Sequence, residues 1–285
     1  EMSYKSQVRI VRTDGKEFVF GGADWSLYKL EGLAAASYEI FSEKRGAGDG
    51  DIITGSRVAA RTLKIKGRNR NTTDNAINRA AAVAFFNPKM DYKVYITYLG
   101  RTRWITAKVK SVHCPFRNIY TLQQIEVEML CADPFLLSVD DFGRDIAAET
   151  GRWGWPYMDH PTYGLIVSTY LFDRMVHVNY DGDISAAPMM SIRIDNKVVN
   201  PKVMVNGAYV RILQTLESGD NIKIETAPTP MVEINGENAL NKVDRSSNFA
   251  GMRLQPGNNS IQFDADLGNN SMHVIVRYFK NYLGV

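Results

Sequence analysis

The sequence has no run of 18 apolar residues, which excludes a membrane-spanning helix, and its start, Glu1-Met2-Ser3-Tyr4-Lys5, lacks the apolar stretch of a signal peptide. Cysteine is nearly absent. Cys114 and Cys131 are too few for a disulfide framework and read as small buried hydrophobes rather than as a redox or metal pair. Histidine is equally sparse. None of His113, His160, His177 and His273 lies three to five residues from another His or Cys, and His113 and Cys114, adjacent on a strand, point to opposite faces. There is no Gly-x-Ser-x-Gly elbow, no loop ending in Gly-Lys-Ser/Thr, and no Ser/His/Asp or Cys/His set that spacing nominates. The carboxylate pairs Asp140-Asp141 and Asp181/Asp183 read as well as solvated turns as they do as acid and base. The expectation is a protein that is not an enzyme, with no catalytic residue, cofactor or metal site. A net charge of only +3 is too small for a chain devoted to nucleic acid.

What the chain does have is length and an ordinary globular composition. Its 285 residues, 45% hydrophobic and 23% charged, favour two domains, each able to bury a core, and exclude disorder. The halves differ: residues 1–140 hold 21 Lys/Arg against 15 Asp/Glu, and 141–285 hold 13 against 16.

The pattern is mostly that of strands. Gln7–Arg12 and Glu17–Phe20 alternate on either side of Asp14-Gly15, a hairpin signal. Short strands are expected at Leu27–Leu33 and Ser37–Ser42, and longer ones at Tyr92–Tyr98, Arg103–Val112 and Leu122–Cys131, where Asp133-Pro134 stops the run. One helix is predicted over about 73–87: Asn71-Thr72-Thr73-Asp74 starts it, Ile77, Ala80, Ala81, Ala84 and Phe85 recur at helical spacing, and Asn87-Pro88 ends it. Residues 141–166, rich in Trp, Gly and Pro without a period, read as a joint between domains. Beyond them, seven turn signals in about 90 residues, from Asp181-Gly182 to Gly268-Asn269-Asn270, argue for an antiparallel sandwich or jelly roll.

Three stretches invite a functional reading. The loop Gly46-Ala47-Gly48-Asp49-Gly50-Asp51 has no core to join and reads as one that orders in an assembly rather than as an ion site. The cationic run Arg57, Arg61, Lys64, Lys66, Arg68, Arg70 contains no acid, and without interleaved aromatics it suits a solvated or subunit-facing strand better than a nucleic-acid groove. Trp153, Trp155 and Tyr157 suit packing between domains or, alternatively, contact with a saccharide.

Taken in order, the Asp14-Gly15 hairpin, Leu30-Glu31-Gly32-Leu33, Gly48-Asp49-Gly50-Asp51-Ile52, Arg61–Gly67 and Met129-Leu130-Cys131-Ala132-Asp133-Pro134-Phe135 resemble the distal tail proteins (Dit) of long-tailed siphophages, the Sipho_tail family. Val205-Asn206-Gly207, Ser218–Ile224, Val232–Gly236, Leu254–Ile261 and Tyr282-Leu283-Gly284-Val285 extend that resemblance. It implies a β-sandwich or barrel-like ring domain with one helix (1–140), then the joint (141–166) and a galectin-like sandwich (167–285). It also implies a homo-hexameric ring at the virion tail tip, assembled in the host cytoplasm. That ring would link the major tail tube protein to a tail-associated tip protein and offer a place to a receptor-binding protein, with no specific nucleic acid and no membrane insertion. Asp49, Asp51, Arg57, Arg61, Lys64 and Lys66 are the expected subunit contacts. The alternative is a carbohydrate-binding module that uses the C-terminal sandwich and Trp153, Trp155 and Tyr157.

Overall fold

The computed structural model of the chain describes residues 6–46, 48–70, 75–115, 122–140, 142–145, 147–151, 168–172 and 175–285. Two units divide it: Glu1–Val139 together with Asn281–Val285, and Asp140–Lys280. Almost all regular structure is β, and the described residues hold one α-helix.

In the first unit the strands are β1 (Gln7–Arg12), β2 (Glu17–Phe20), β3 (Trp25–Glu31), β4 (Tyr38–Lys44), β5 (Asp51–Val58), β6 (Arg61–Asn69), β7 (Asp91–Tyr98), β8 (Arg101–His113), β9 (Gln124–Cys131) and β10 (Leu136–Ser138). Seven of them run β8-β7-β1-β2-β3-β6-β9 and close where β9 pairs back onto β8, so a barrel forms without free edges. The period of two explains its interior. Val8, Ile10, Leu63, Ile65, Val94, Ile96, Ile125, Val127 and Met129 are all fully buried, each contributing about 1.5–3 kcal/mol. Gly67 on β6 is there for space, since a Cβ would stand 2.4 Å from the Phe20 ring.

The helix, α1, spans Asn75–Phe85. Its expected start at 71–74 lies outside the described residues. The buried side differs from the one the spacing suggested: Ala82 and Phe85 face in, with Phe86 just beyond, while Ile77, Ala80, Ala81 and Ala84 face out. The reason is aromatic. Phe18, Phe20, Trp25, Phe85, Phe86 and Tyr92 form one cluster with neighbouring centroids 5.0–6.5 Å apart, and seating Phe85 there turns the alanine face outward. Arg12, 9% exposed, closes the helix end by donating from Nη1 to the carbonyls of Ala84 (3.1 Å) and Phe85 (3.0 Å).

The second unit holds β11 (Phe142–Asp145), β12 (Ala147–Gly151), β13 (Ser168–Phe172), β14 (Met175–Tyr180), β15 (Met189–Ile194), β16 (Val198–Val199), β17 (Lys202–Val205), β18 (Ala208–Arg211) and β19 (Thr215–Leu216). It continues with β20 (Asn221–Glu225), β21 (Met231–Ile234), β22 (Glu237–Asn238), β23 (Gly257–Asp264) and β24 (Met272–Tyr278). A six-stranded sheet, β11-β24-β15-β20-β21-β22, and a four-stranded one, β14-β23-β17-β18, share a single core. Ile192, Ile222 and Val274 come from the first, and Val203, Ile261 and Phe263 from the second. This is an antiparallel sandwich.

Two features of the organisation stand beside the expected boundaries. The described residues of the stretch read as a joint, 142–145 and 147–151, lie in paired strands: β11 on β24, and β12 with β13 from Ala147↔Phe172 to Gly151↔Ser168. The chain end also does not belong to the sandwich. The last strand, β25 (Asn281–Tyr282), pairs with β10 of the first unit, Leu136 opposite Tyr282, and Tyr282 lies under the Arg103 guanidinium at 3.6 Å. A pairing across some 145 positions leaves no local signature.

Candidate functional site

Between β3 and β6 the chain leaves the barrel as an antiparallel ribbon, β4 with β5, that pairs with no other strand among the described residues. Local chemistry explains why it forms. Tyr38, Ile40, Phe41, Ile52, Ile53 and Thr54 are β-formers, and Gly50, at φ +86, supplies the left-handed turn residue between the strands. A register shift after Phe41 leaves Thr54 as the extra residue, and its Oγ1 donates to the Phe41 carbonyl at 3.2 Å.

Cross-strand partners share a face, so Tyr38, Val58, Ile40 and Ile53 stand together on one side and Phe41 and Ile52 on the other. Little of this is buried: Tyr38 is 54% exposed, Ile40 63% and Ile53 69%. An isolated two-stranded ribbon is marginal in water, and this one exposes large apolar groups on both faces. The outer side of α1 is a second, unlike apolar surface, with Ile77 67% exposed beside Ala80, Ala81 and Ala84.

The six residues expected at subunit contacts do not share one place. Asp49, Asp51 and Arg57 lie on the ribbon or its turn, exposed, with Arg57 Nε 2.6 Å from Glu39 Oε2 and its guanidinium 5.9 Å from the Phe41 ring. Arg61 must be withdrawn from the set. It is 3% exposed, and its guanidinium donates to the carbonyls of Pro134 (2.8 Å), Gly32 (2.7 Å), Ala34 (2.7 Å) and Leu283. Burial lowers its pKa from the ordinary value, but arginine remains charged there.

Lys64 and Lys66 stand on the outer barrel face of β6, where acids of the neighbouring strands face them. Lys64 lies opposite Glu31 and Glu128, and Lys66 forms an ion pair with Glu126 at 2.8 Å. Lys110, donating to Glu128, holds that carboxyl below the usual range, with the charges of Lys110 and Lys64 acting in the same direction. Acids from β3 and β9 thus neutralise the strand within its own sheet. Trp153, Trp155 and Tyr157 lie outside the described residues. Burial pushes the Cys131 thiol up to about 12 and raises that of Cys114. Among the described residues, no three His, Cys, Asp or Glu side chains are grouped to hold a metal ion.

The ribbon's second strand and its apolar side chains were missed by sequence reasoning. The available signal was Ile52-Ile53-Thr54 following Gly48-Asp49-Gly50, a β-branched run just past turn residues.

Residues 181–282 match the family model described as the C-terminal domain of the siphovirus-type tail component. Among solved structures, the chain is similar to the Dit (gp 19.1) protein of phage SPP1, which is described as a paradigm of the hub adsorption apparatus in phages infecting Gram-positive bacteria. The identity is 11%, over 96% of this chain and 98% of that one, with a TM-score of 0.67. A chain of the phage P2 baseplate in its activated conformation with Ca is similar at 10% identity, over 95% and 97%, with a TM-score of 0.50. No curated protein matches the sequence.

Proposed function

From a chain with the distal-tail fold and a siphovirus tail-component domain over 181–282, we propose a structural hub protein of a phage tail tip, one that assembles as a hexameric ring. The ring joins the major tail tube protein to a tail-associated tip protein, gives a receptor-binding protein its place, and is built in the host cytoplasm before it becomes part of the virion tail. It works by shape and contact rather than by catalysis. The observation that carries this reading is the β4–β5 ribbon, which pairs with no further strand among the described residues and leaves Tyr38, Ile40 and Ile53 more than half exposed.

A ring needs two unlike, complementary patches on each subunit, because head-to-tail contacts are heterologous. The first unit offers such a pair. The Tyr38/Ile40/Ile53 side of the ribbon seats on Ile77, Ala80, Ala81 and Ala84 of the next subunit, where the alanines allow close approach. Asp49, Asp51 and Arg57 form the polar rim of that contact, and Lys64 and Lys66 meet a further surface of the neighbour.

Light scattering across a concentration series, with negative-stain images, tests this directly. A six-fold ring of six times 32.0 kDa, about 192 kDa, is expected. A single 32.0 kDa species at every concentration counts against the ring.

A further inference from the structure

The outer face of the six-stranded sheet in the second unit carries a trough of about 450 Å³ that the hub reading does not use. We propose that it is a binding site for a neutral oligosaccharide. Four adjacent strands, β24, β15, β20 and β21, place Ile275, Ser191, Lys223 and Glu233 side by side in one row, as the cross-strand pairs Ser191↔Ile275, Ser191↔Lys223 and Lys223↔Glu233 require. Three inter-strand steps of about 4.8 Å make that row about 14 Å long, a span suited to a short oligosaccharide. The next row begins with Arg277 opposite Met189.

The chemistry of the trough alternates as a polyol requires. Met189 and Ile275 give an apolar floor for the C–H face of a sugar ring, and polar groups stand on both sides of it. The half-buried Glu233 carboxylate forms no side-chain hydrogen bond or close ion pair among the described residues, its charge acting only on the neighbouring Lys223, and it is an acceptor for adjacent hydroxyls. Arg277 likewise carries no ion pair among the described residues, while the Lys223 ammonium is held on Glu225 at 2.8 Å. Counting Glu225, which lies beside the lining and holds Lys223, two acids balance Lys223 and Arg277, which favours a neutral ligand.

One end of the trough is pre-organised. Asn235, at φ +52, accepts from the Asn221 N–H at 2.9 Å and donates to Asp220 Oδ1 at 2.8 Å, so its turn is braced before any ligand arrives. A peptide is the poorer occupant. The inner strands of this sheet are paired on both sides, so a chain lying across the face finds no free backbone groups for its own amides, whereas hydroxyls are met by side chains alone.

The test is saturation-transfer NMR and calorimetry on the full chain with an array of neutral hexose and N-acetylhexosamine oligosaccharides, repeated with Glu233→Ala and Arg277→Ala. His177→Ala, on an exposed position of the other sheet, serves as the control. Binding that falls about tenfold or more in both trough variants, with melting temperature unchanged and the control unaffected, is expected, since each removes a hydrogen bond to a charged group. No signal from any saccharide overturns the proposal, and so does binding that survives in both trough variants. Because ring formation is read separately by mass, failure here leaves the hub reading standing.

Discussion

At the scale of single residues, two buried arginines do unlike work. Arg12 is held by an acid. Its guanidinium forks onto Asp14, with Nε–Oδ1 at 2.8 Å and Nη2–Oδ2 at 2.5 Å, while also receiving the end of α1. The hydrogen bond from Arg12 is the main cause that lowers Asp14 to about 2. A carboxyl whose folded pKa is depressed adds stability above its unfolded value, near 4, and that stability disappears as pH falls through the folded value. Urea titrations should therefore show wild type losing stability between about pH 4 and pH 2, and Asp14→Asn losing less over the same window. Arg61 has no acidic partner among the described residues and is held by four carbonyls from three separate segments, around Gly32, Pro134 and Leu283. Truncation to alanine strands those acceptors, so Arg61→Ala is expected to cost about 2–4 kcal/mol in chemical denaturation. Arg61→Lys should recover little, because a point ammonium cannot reach acceptors set out for a planar fork.

At the scale of elements, the ribbon and the helix decide between assembly and solubility. Moving four or five large apolar side chains out of water at each contact contributes about 1.5–3 kcal/mol per fully buried side chain, enough to offset the cost of association only if several contacts close together. Ile40→Asp with Ile53→Asp should then abolish the six-fold species in light scattering while changing monomer stability by about 0.5 kcal/mol or less, since neither side chain belongs to the core. A ring that persists in this double variant would remove the ribbon from the contact. Much of this architecture was legible in the sequence. The β1–β2 hairpin announced itself through Asp14-Gly15, and β7, β8 and β9 through alternation, because one buried face imposes a period of two. The helix was legible in position and not in orientation. Its alanines sit at helical spacing, but the aromatic cluster decides which side is buried, and that cluster is assembled from β2, β3 and β7 as well. The charged run 57–70 shows the same limit: the acids facing it, Glu31, Glu126 and Glu128, arrive from other strands. A candidate site made of exposed apolar groups carries no motif, so only their exposure in the fold discloses it.

At the scale of the whole molecule, the second unit is an insertion in the sequence of the first. The chain leaves β10 for Asp140 and returns from Lys280 into Asn281–Tyr282, and Leu137 lies opposite Asn281. The exit and the return are therefore neighbours across one antiparallel pair, close enough to be joined directly. Sequence patterns mark strands and turns but not which distant strand a short segment such as Asn281–Tyr282 will join. Joining Val139 to Asn281 through a short Gly/Ser turn should give a first unit that keeps β10–β25, the Leu283 carbonyl on Arg61 and the Val285 N–H on the Leu33 carbonyl. Residues 1–139 alone lose all three. The joined protein is expected to unfold cooperatively at a higher denaturant midpoint than 1–139, by an amount comparable to the cost of Arg61→Ala, since both remove the same anchorage. If assembly resides in the first unit, the joined protein also forms the six-fold species without the sandwich, and Ile40→Asp with Ile53→Asp disperses it. A joined first unit that is well folded yet monomeric would place the assembly surface in Asp140–Lys280 instead, and would return the ribbon to a contact with some other tail component.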